Sequence, residues 1–262
     1  MTAATGEQLT VYVSDSYTPD QNPPQQWADF FAGLIHGSEL TSLTAYVATP
    51  AEVQELCRSG EALGCYGSNR LRVSGETFDG VSPEEVARHE YGHHVAANRN
   101  NAPWPAIDWG TKRWATDENV CSRAGRSEVF PGDEGEDYTR NPGEAFAETY
   151  RVLNDVRSLG LAASWGLVDS SFVPNAAALD AVEQDVLHPW TGPTSIVLRG
   201  RFTARSSSVW AKTFATPLDG GLSVGLSFSA VERCASVSLA EAIPTGSLSA
   251  LRDLEESRHE TR

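Results

Sequence analysis

The sequence predicts an α+β protein with a main domain and a small appended region. The opening of the chain alternates strand-like and helix-like segments, and two strongly marked helices follow in the middle. After Pro189 the pattern changes to short β-type runs separated by turn residues. We therefore expect a small sheet with adjoining helices over residues 1–190, a small all-β region over residues 191–245, and a charged, frayed tail over residues 246–262.

The opening predicts a β-α-β-α-β run. Apolar and polar residues alternate over residues 9–13, which is strand periodicity. Apolar residues then recur at helical spacing from Trp27 to Ile35, and Gly37 is placed to end that helix. Three further segments complete the run: a strand over residues 43–47, a helix over residues 50–58 that begins with proline, and a strand over residues 70–73.

Two later helices have clear start signals. Ser82 is placed to cap a helix whose first residue is Pro83, and Glu85 stands three residues after the cap. A second helix is expected to begin at 141–143, Asn-Pro-Gly, and to run to about residue 155. Residues 100–140 between them are poor in periodicity, so we expect a long irregular segment there. Helical character recurs at residues 176–186.

Composition limits the partners and the compartment. The formal net charge of −15, with no cluster of Lys and Arg, argues against a nucleic-acid partner. No apolar run reaches the roughly 20 residues that a membrane-spanning helix needs. Cys57 and Cys65 are close enough for a local disulfide, and with the low Lys content and seven Trp they favour a secreted protein whose leader is absent. The pairing of Cys121 and Cys234 stays open, and we expect a monomer.

The helix after Ser82 carries a candidate metal-binding motif. Residues 89–93 read His-Glu-Tyr-Gly-His, and residues four apart share a helix face, so His89 and His93 can present two nitrogens to one ion. Glu90 points to the flank, where its carboxylate can take a proton from water. Gly92 keeps the helix surface low beside the ligands. The alternative is that both histidines are satisfied by hydrogen bonds in the core.

The next strong helix offers the third ligand. Glu144 and Glu148 lie four apart on one face, so one can bind the metal while the other supports it. We assign Glu144 to the metal and Glu148 to accepting the free ring N–H of a ligating histidine. The alternative is a solvated helix face on which Glu148 and Arg151 form a surface ion pair.

With these residues in place, the sequence resembles the gluzincins, zincin metallopeptidases whose third zinc ligand is Glu. The run from Tyr138 to Glu148 is most similar to the lethal-factor-like branch, in which a Tyr before the ligand helix stabilises the oxyanion. The resemblance covers residues 82–155 and implies a zincin-like metallopeptidase domain with Tyr138 in that role. Tyr138 stands one residue closer to the ligand than in the family, which leaves Tyr150 or a loop residue as alternatives.

Two other groups of candidate residues are weaker. His94 lies about 100° around the helix from His93 and is expected beside a ligand or, preferably, at the surface. A short acidic run offers oxygen ligands for calcium, but a solvated turn is the preferred interpretation. The run consists of Asp133, Glu134, Glu136 and Asp137.

The function expected from the motif and the resemblance is that of a metalloendopeptidase with one catalytic Zn²⁺ and a protein or peptide substrate. Glu90 would act as general base and Tyr138 would assist the oxyanion. The alternative is a non-catalytic binding or adhesion protein on the same scaffold, in which zinc is structural; Glu90 would have no use there. A serine or cysteine hydrolase is disfavoured for two reasons. The G-x-S-x-G run at residues 221–225 lies among short β-type runs and not at a strand-to-helix elbow, and no cysteine stands next to a plausible base.

Overall fold

The computed structural model describes residues 1–78, 80–193, 195–200, 211–212, 218–220 and 223–225. Within these residues the protein is α+β, as predicted, and those up to residue 220 belong to one compact unit. No helix among the described residues is long and apolar enough to cross a bilayer. The expected β-rich region 191–245 lies largely outside the described residues, although residues 195–200 form no strand, and the tail 246–262 lies entirely outside them.

A mixed four-stranded sheet forms one layer of the fold. Its order is β1-β2-β4-β3, with β1 parallel to β2, β2 parallel to β4, and β3 antiparallel to β4 at one edge. The parallel pairs need crossover connections, which helices α1 and α2 supply. The bounds are β1 Thr10–Val13, α1 Pro24–Ala32, β2 Thr44–Ala48, α2 Pro50–Cys57, β3 Gly64–Gly67 and β4 Arg70–Ser74.

Two details of the opening differ from the prediction. Helix α1 ends at Gly33 rather than at Gly37, because the Gly33 N–H closes the last turn onto the carbonyls of Asp29 and Phe30. A 3₁₀ turn, Ser38–Ser42, then leads into β2. Strand β3 was not predicted, since its Gly-Cys-Tyr-Gly sequence has neither alternation nor high strand propensity. It forms through pairing with β4.

Helix α3, Pro83–Ala97, lies between the sheet and helix α7, Pro142–Arg157. Both helices begin as the sequence predicts. Ser82 accepts a hydrogen bond from the Glu85 N–H (3.1 Å), and Asn141 accepts one from the Gly143 N–H (2.9 Å). Because both faces of α3 are covered, its residues 87–96 are all buried.

Residues 100–140 are more ordered than expected. They contain a two-stranded ribbon, β5 Asn100–Asn101 with β6 Trp104–Pro105, and three short helices, α4 Ala106–Trp109, α5 Lys112–Asp117 and α6 Val120–Gly125. Helix α8, Ala176–Leu187, packs on α5 and α7. Its buried Asp185 accepts hydrogen bonds from the backbone N–H groups of Arg113 (2.7 Å) and Trp114 (3.2 Å). Helix α5 is thus capped by a distant residue, which local periodicity could not reveal.

Candidate metal centre

Three of the predicted ligands converge at the contact between α3 and α7. One donor atom from each of His89, His93 and Glu144 lies within 4.8 Å of the other two. The Glu144 carboxylate faces both rings, with its oxygens 3.1 Å from His89 Nε2 and 3.3 Å from His93 Nε2. All three side chains are buried. This group could hold a metal ion, and it is the one such group found among the described residues.

Gly92 allows the two helices to come close enough to form this group. A Cβ atom at Gly92 would lie 2.7 Å from Cα and 2.9 Å from O of Ala147 on α7. Ala147 stands between Glu144 and Glu148 in the sequence, so the close approach occurs where α7 presents both carboxylates. Gly92 was predicted to keep the helix surface low beside the ligands. In the structure the backbone of α7 at Ala147 packs directly against it.

Asn141 fixes the start of α7 and thereby the position of Glu144 in its first turn. Its Oδ1 accepts hydrogen bonds from the N–H groups of Gly143 (2.9 Å) and Gly132 (3.1 Å). Its Nδ2 donates to the Glu134 carboxylate at 3.1 Å. One side chain thus caps the helix and ties it to the preceding acidic segment.

The electrostatics of the group favour a bound cation. Burial alone lowers the pKa of His89, but hydrogen bonds to Glu144 and Glu148 outweigh it and raise that pKa to about 10. Burial would raise the pKa of Glu144, but the neighbouring His93 and His89 hold it well below its usual range. In the metal-free protein the histidines therefore supply the positive charge that Glu144 requires. A metal ion would replace their protons.

Glu90 is buried on the sheet side of the same helix. Its Cγ would be 3.0 Å from a Cβ placed at Gly64, so the side chain lies directly against edge strand β3. Burial raises the pKa of the Glu90 carboxyl, an effect that His93 and His89 partly oppose. A carboxyl group with a raised pKa is suited to accept and then return a proton near neutral pH.

Tyr138 belongs to this cluster, whereas Tyr150 does not. The Tyr138 hydroxyl donates a 2.6 Å hydrogen bond to Glu144 Oε2, and burial raises the pKa of that hydroxyl. The Tyr150 hydroxyl instead donates to the carbonyl of Ile35 at 2.7 Å, and its side chain is fully buried against Tyr91. Of the two tyrosines considered for the oxyanion, Tyr138 alone has its hydroxyl at the candidate ligands.

Glu148 lies where the ligand assignment expects a supporting carboxylate. Its Oε2 is 3.2 Å from His89 Nδ1, on the opposite side of the ring from Glu144. Arg151 binds the same carboxylate through two hydrogen bonds, but both residues are buried, at 4% and 3% exposure. The alternative of a solvated surface ion pair is therefore wrong, because α3 and residue 164 cover this face of α7.

His94 is neither at the surface nor in contact with the ligands. It is fully buried, where its Nε2 lies 2.9 Å from the Glu39 carbonyl and its Nδ1 lies 3.1 Å from the Tyr66 hydroxyl. Burial lowers the pKa of its imidazole. The surface position preferred from the sequence is wrong, because β3 and the 3₁₀ turn before β2 cover this side of α3.

The acidic run forms a turn whose carboxylates engage the protein itself. Asp133 Oδ1 accepts the Gly135 N–H at 2.7 Å, and Asp137 pairs with Arg140. Glu134 binds Asn141, and burial together with the nearby Glu144 raises the pKa of its carboxyl. Glu136 completes the run and is exposed. The described geometry thus favours the turn over a calcium site, and it brings Glu134 towards the metal centre, which sequence reasoning missed.

The predicted disulfide is confirmed and lies close to the centre. Cys57, the last residue of α2, is bonded to Cys65 in β3, one residue after the glycine that contacts Glu90. Cys121 has no disulfide partner among the described residues, and Cys234 lies outside them.

Comparisons with known proteins add no family to this description. The chain matches no protein-family model, no curated protein and no solved structure. The geometry of the site defines the chain as a protein whose buried His-His-Glu group could hold a metal ion.

Proposed function

We propose that the protein is a zinc-dependent metalloendopeptidase of the zincin type, with His89, His93 and Glu144 as the ligands of one catalytic zinc ion. The observation that carries the proposal is the convergence of these three buried donors on a helix pair that also buries Glu90, the carboxylate that would act on water. The disulfide suits a secreted enzyme, because such bonds persist in oxidising compartments.

The donor set fits zinc. Two imidazoles and one carboxylate are the ligands of a well-known type of catalytic zinc site, which keeps a fourth position for water or substrate. Bonds of about 2.0–2.1 Å in a tetrahedron place neighbouring donors about 3.3 Å apart. Glu144 Oε2 lies 3.1 Å from His89 Nε2 and Oε1 lies 3.3 Å from His93 Nε2, and one donor atom from each residue lies within 4.8 Å of the other two, so the three side chains can reach one ion. Bound zinc supplies Lewis acidity, which polarises a carbonyl and acidifies water.

The remaining chemistry belongs to Glu90 and Tyr138. The Glu90 carboxylate accepts the proton of the attacking water and returns it to the nitrogen of the leaving amine. The Tyr138 hydroxyl is a hydrogen-bond donor beside Glu144, from which it can turn to an oxyanion that develops on the substrate carbonyl. Neither step needs a covalent bond between substrate and protein.

Strand β3 supports a peptide as the substrate. It is an edge strand that pairs only with β4 in the described sheet, so its outer N–H and C=O groups are available to an extended chain. A peptide added there would run past Glu90, because Gly64 of β3 contacts that side chain. The absence of a side chain at Gly64 leaves room for Glu90 beside the strand.

The competing proposal is a non-catalytic binding or adhesion protein on the same scaffold, in which zinc is structural. Structural zinc sites are normally closed by four protein ligands, whereas three converge among the described residues. A structural zinc site also has no use for a carboxylate such as Glu90, which lies buried next to the first ligand in the sequence. We therefore favour the peptidase.

The test is digestion of a mixed peptide library by the zinc-loaded protein, with cleavage sites identified by mass spectrometry. Glu90→Gln should keep its zinc yet lose about 10²–10⁴-fold in kcat, because the general base is removed. Glu84→Gln, the same change on the first turn of the same helix, is the matched control and should cleave normally. If Glu90→Gln retains full turnover, Glu90 is not the base; if the zinc-loaded wild type cleaves nothing, the binding protein becomes the better proposal.

A further inference from the structure

A chain of buried charges leads away from the metal centre on the side opposite Glu144. His89 Nδ1 faces Glu148 Oε2 at 3.2 Å, and Arg151 holds that carboxylate by Nε (2.9 Å, to Oε2) and Nη2 (2.7 Å, to Oε1). Arg151 Nη1 also donates to Asp155, whose other oxygen is 2.8 Å from Arg88 Nε. Each of the five side chains in this network is less than a tenth exposed.

The charges in this chain balance without any contribution from the histidine. Glu148 and Asp155 carry two negative charges, and Arg151 and Arg88 carry two positive charges. Glu85, 3.7 Å from Arg151 Nη1, is a further carboxylate, but it is partly exposed and is not counted among the buried groups. The guanidinium of Arg151 further donates to the carbonyl of Ser164 at 2.8 Å, so its plane is fixed by three acceptor groups. A bidentate arginine fixes the plane of a carboxylate as well as its charge, which lysine cannot do.

We infer that Arg151 is a positioning residue for the metal centre: it fixes the Glu148 carboxylate so that one oxygen accepts the His89 Nδ1–H and His89 Nε2 is directed to the metal. The tautomer and the ring orientation of a ligating histidine depend on the partner of its second nitrogen. That partner is Glu148, which would otherwise be free to rotate within a buried space. This inference rests on the metal-binding part of the proposed function, and it is independent of the peptidase activity.

The competing explanation is that Arg151 only stabilises the contact between α3 and α7. The network does connect α3, through Arg88, to α7, through Asp155. In that case loss of the arginine would loosen the contact between the helices, and zinc affinity would fall whether or not Glu148 could still accept a hydrogen bond. The two explanations therefore differ in how Arg151 and Glu148 depend on each other.

The test is a double-mutant cycle on zinc affinity, measured with the full chain by competition with a chromogenic chelator. The variants are Arg151→Lys, Glu148→Gln and the combination, with Arg157→Lys as the matched control. Arg157 is on the same helix but pairs with Asp180 and Glu183 of α8 on the outer side. Lysine keeps the buried positive charge, and circular dichroism and urea unfolding of the metal-free variants report any loss of structure separately.

We expect Glu148→Gln to weaken zinc binding about 10–100-fold and Arg151→Lys about 10-fold, in the range found for outer partners of metal ligands. The double variant should be no more than about threefold weaker than Glu148→Gln alone, since both changes remove one function. The control should stay within about twofold of the wild type. If the two single losses of zinc affinity multiply in the double variant, or if Arg151→Lys binds zinc as tightly as the wild type, the role of Arg151 is overturned while the metal centre stands. A wild type that binds no zinc would overturn the metal centre and this role together.

Discussion

The most direct test of how the fold builds the metal centre is Gly92→Ala. The added Cβ would lie 2.7 Å from the Cα of Ala147 and 2.9 Å from its O. Carbon atoms in good contact are about 3.5–4.0 Å apart, so α3 and α7 must separate by about 1 Å at this point. Because the opposing atoms are backbone, no rotation of a side chain can relieve the contact.

The separation should affect both stability and metal binding. Overpacking of this kind costs about 1–3 kcal/mol of unfolding free energy. A shift of about 1 Å between His89 and Glu144 is far larger than the roughly 0.2 Å that a metal–ligand bond tolerates, so we expect zinc affinity to fall at least about tenfold. The first quantity is measured by urea unfolding of the metal-free protein, and the second by chelator competition.

The matched control is Gly125→Ala in α6, where a Cβ meets no atom within 4 Å. This change should leave zinc affinity unaltered and should stabilise the helix by up to about 1 kcal/mol. Wild-type zinc affinity in Gly92→Ala, with an unchanged urea midpoint, would refute the argument that the contact between Gly92 and Ala147 positions the ligands.

Three other perturbations test separate parts of the structure. Tyr138→Phe should lower kcat about 10²-fold by removing one oxyanion donor, with zinc content by atomic absorption unchanged; undiminished kcat would exclude the tyrosine from that role. Replacing Cys57 and Cys65 together by Ser should cost about 2–3 kcal/mol of stability by chemical unfolding. The same double replacement should raise KM for peptides by a larger factor than it lowers zinc affinity, because β3 is no longer bonded to α2. An unchanged KM would argue against substrate pairing with β3. Burial raises the pKa of Glu118 from 4.5 to about 7, against the opposing effect of Arg123. Between pH 4.5 and about 7 Glu118 is therefore protonated in the folded state but ionised in the unfolded state. The free energy of unfolding falls as pH rises through this range, by at most about 3 kcal/mol and by less because Glu118 is partly exposed. Glu118→Gln should accordingly flatten the profile of unfolding free energy between pH 5 and 8, and a profile parallel to that of the wild type would contradict the pKa assignment.

The sequence predicted those features that depend on signals within one or two helical turns. The caps at Ser82 and Asn141 are visible locally, and the four-residue spacing of His89 and His93 fixes a shared helix face regardless of the rest of the fold. The disulfide followed from the short separation of its cysteines.

Features that depend on distant contacts were missed or misjudged. Helix α5 depends on Asp185 of α8 for its capping hydrogen bonds, and β3 depends on β4 for its pairing. The same reason explains His94 and Arg151: a polar residue on a helix is expected to face water unless another element covers it. Arg151 has i−3 and i+4 acidic neighbours, a pattern that describes exposed and buried ion pairs equally well.

The distribution of charge around α3 also favours a cation at the candidate metal centre. Glu148 is balanced by Arg151, but Glu144 has no Arg or Lys partner among the described residues and is paired with the two histidines, while Glu90 is buried with a raised pKa. Apolar residues of similar volume in place of such buried charged groups often leave a protein equally or more stable. The arrangement therefore gains little for the fold alone. A divalent cation bound to His89, His93 and Glu144 would replace the positive charge that the two histidines supply in the metal-free protein, so folding stability and metal binding should be coupled at this site.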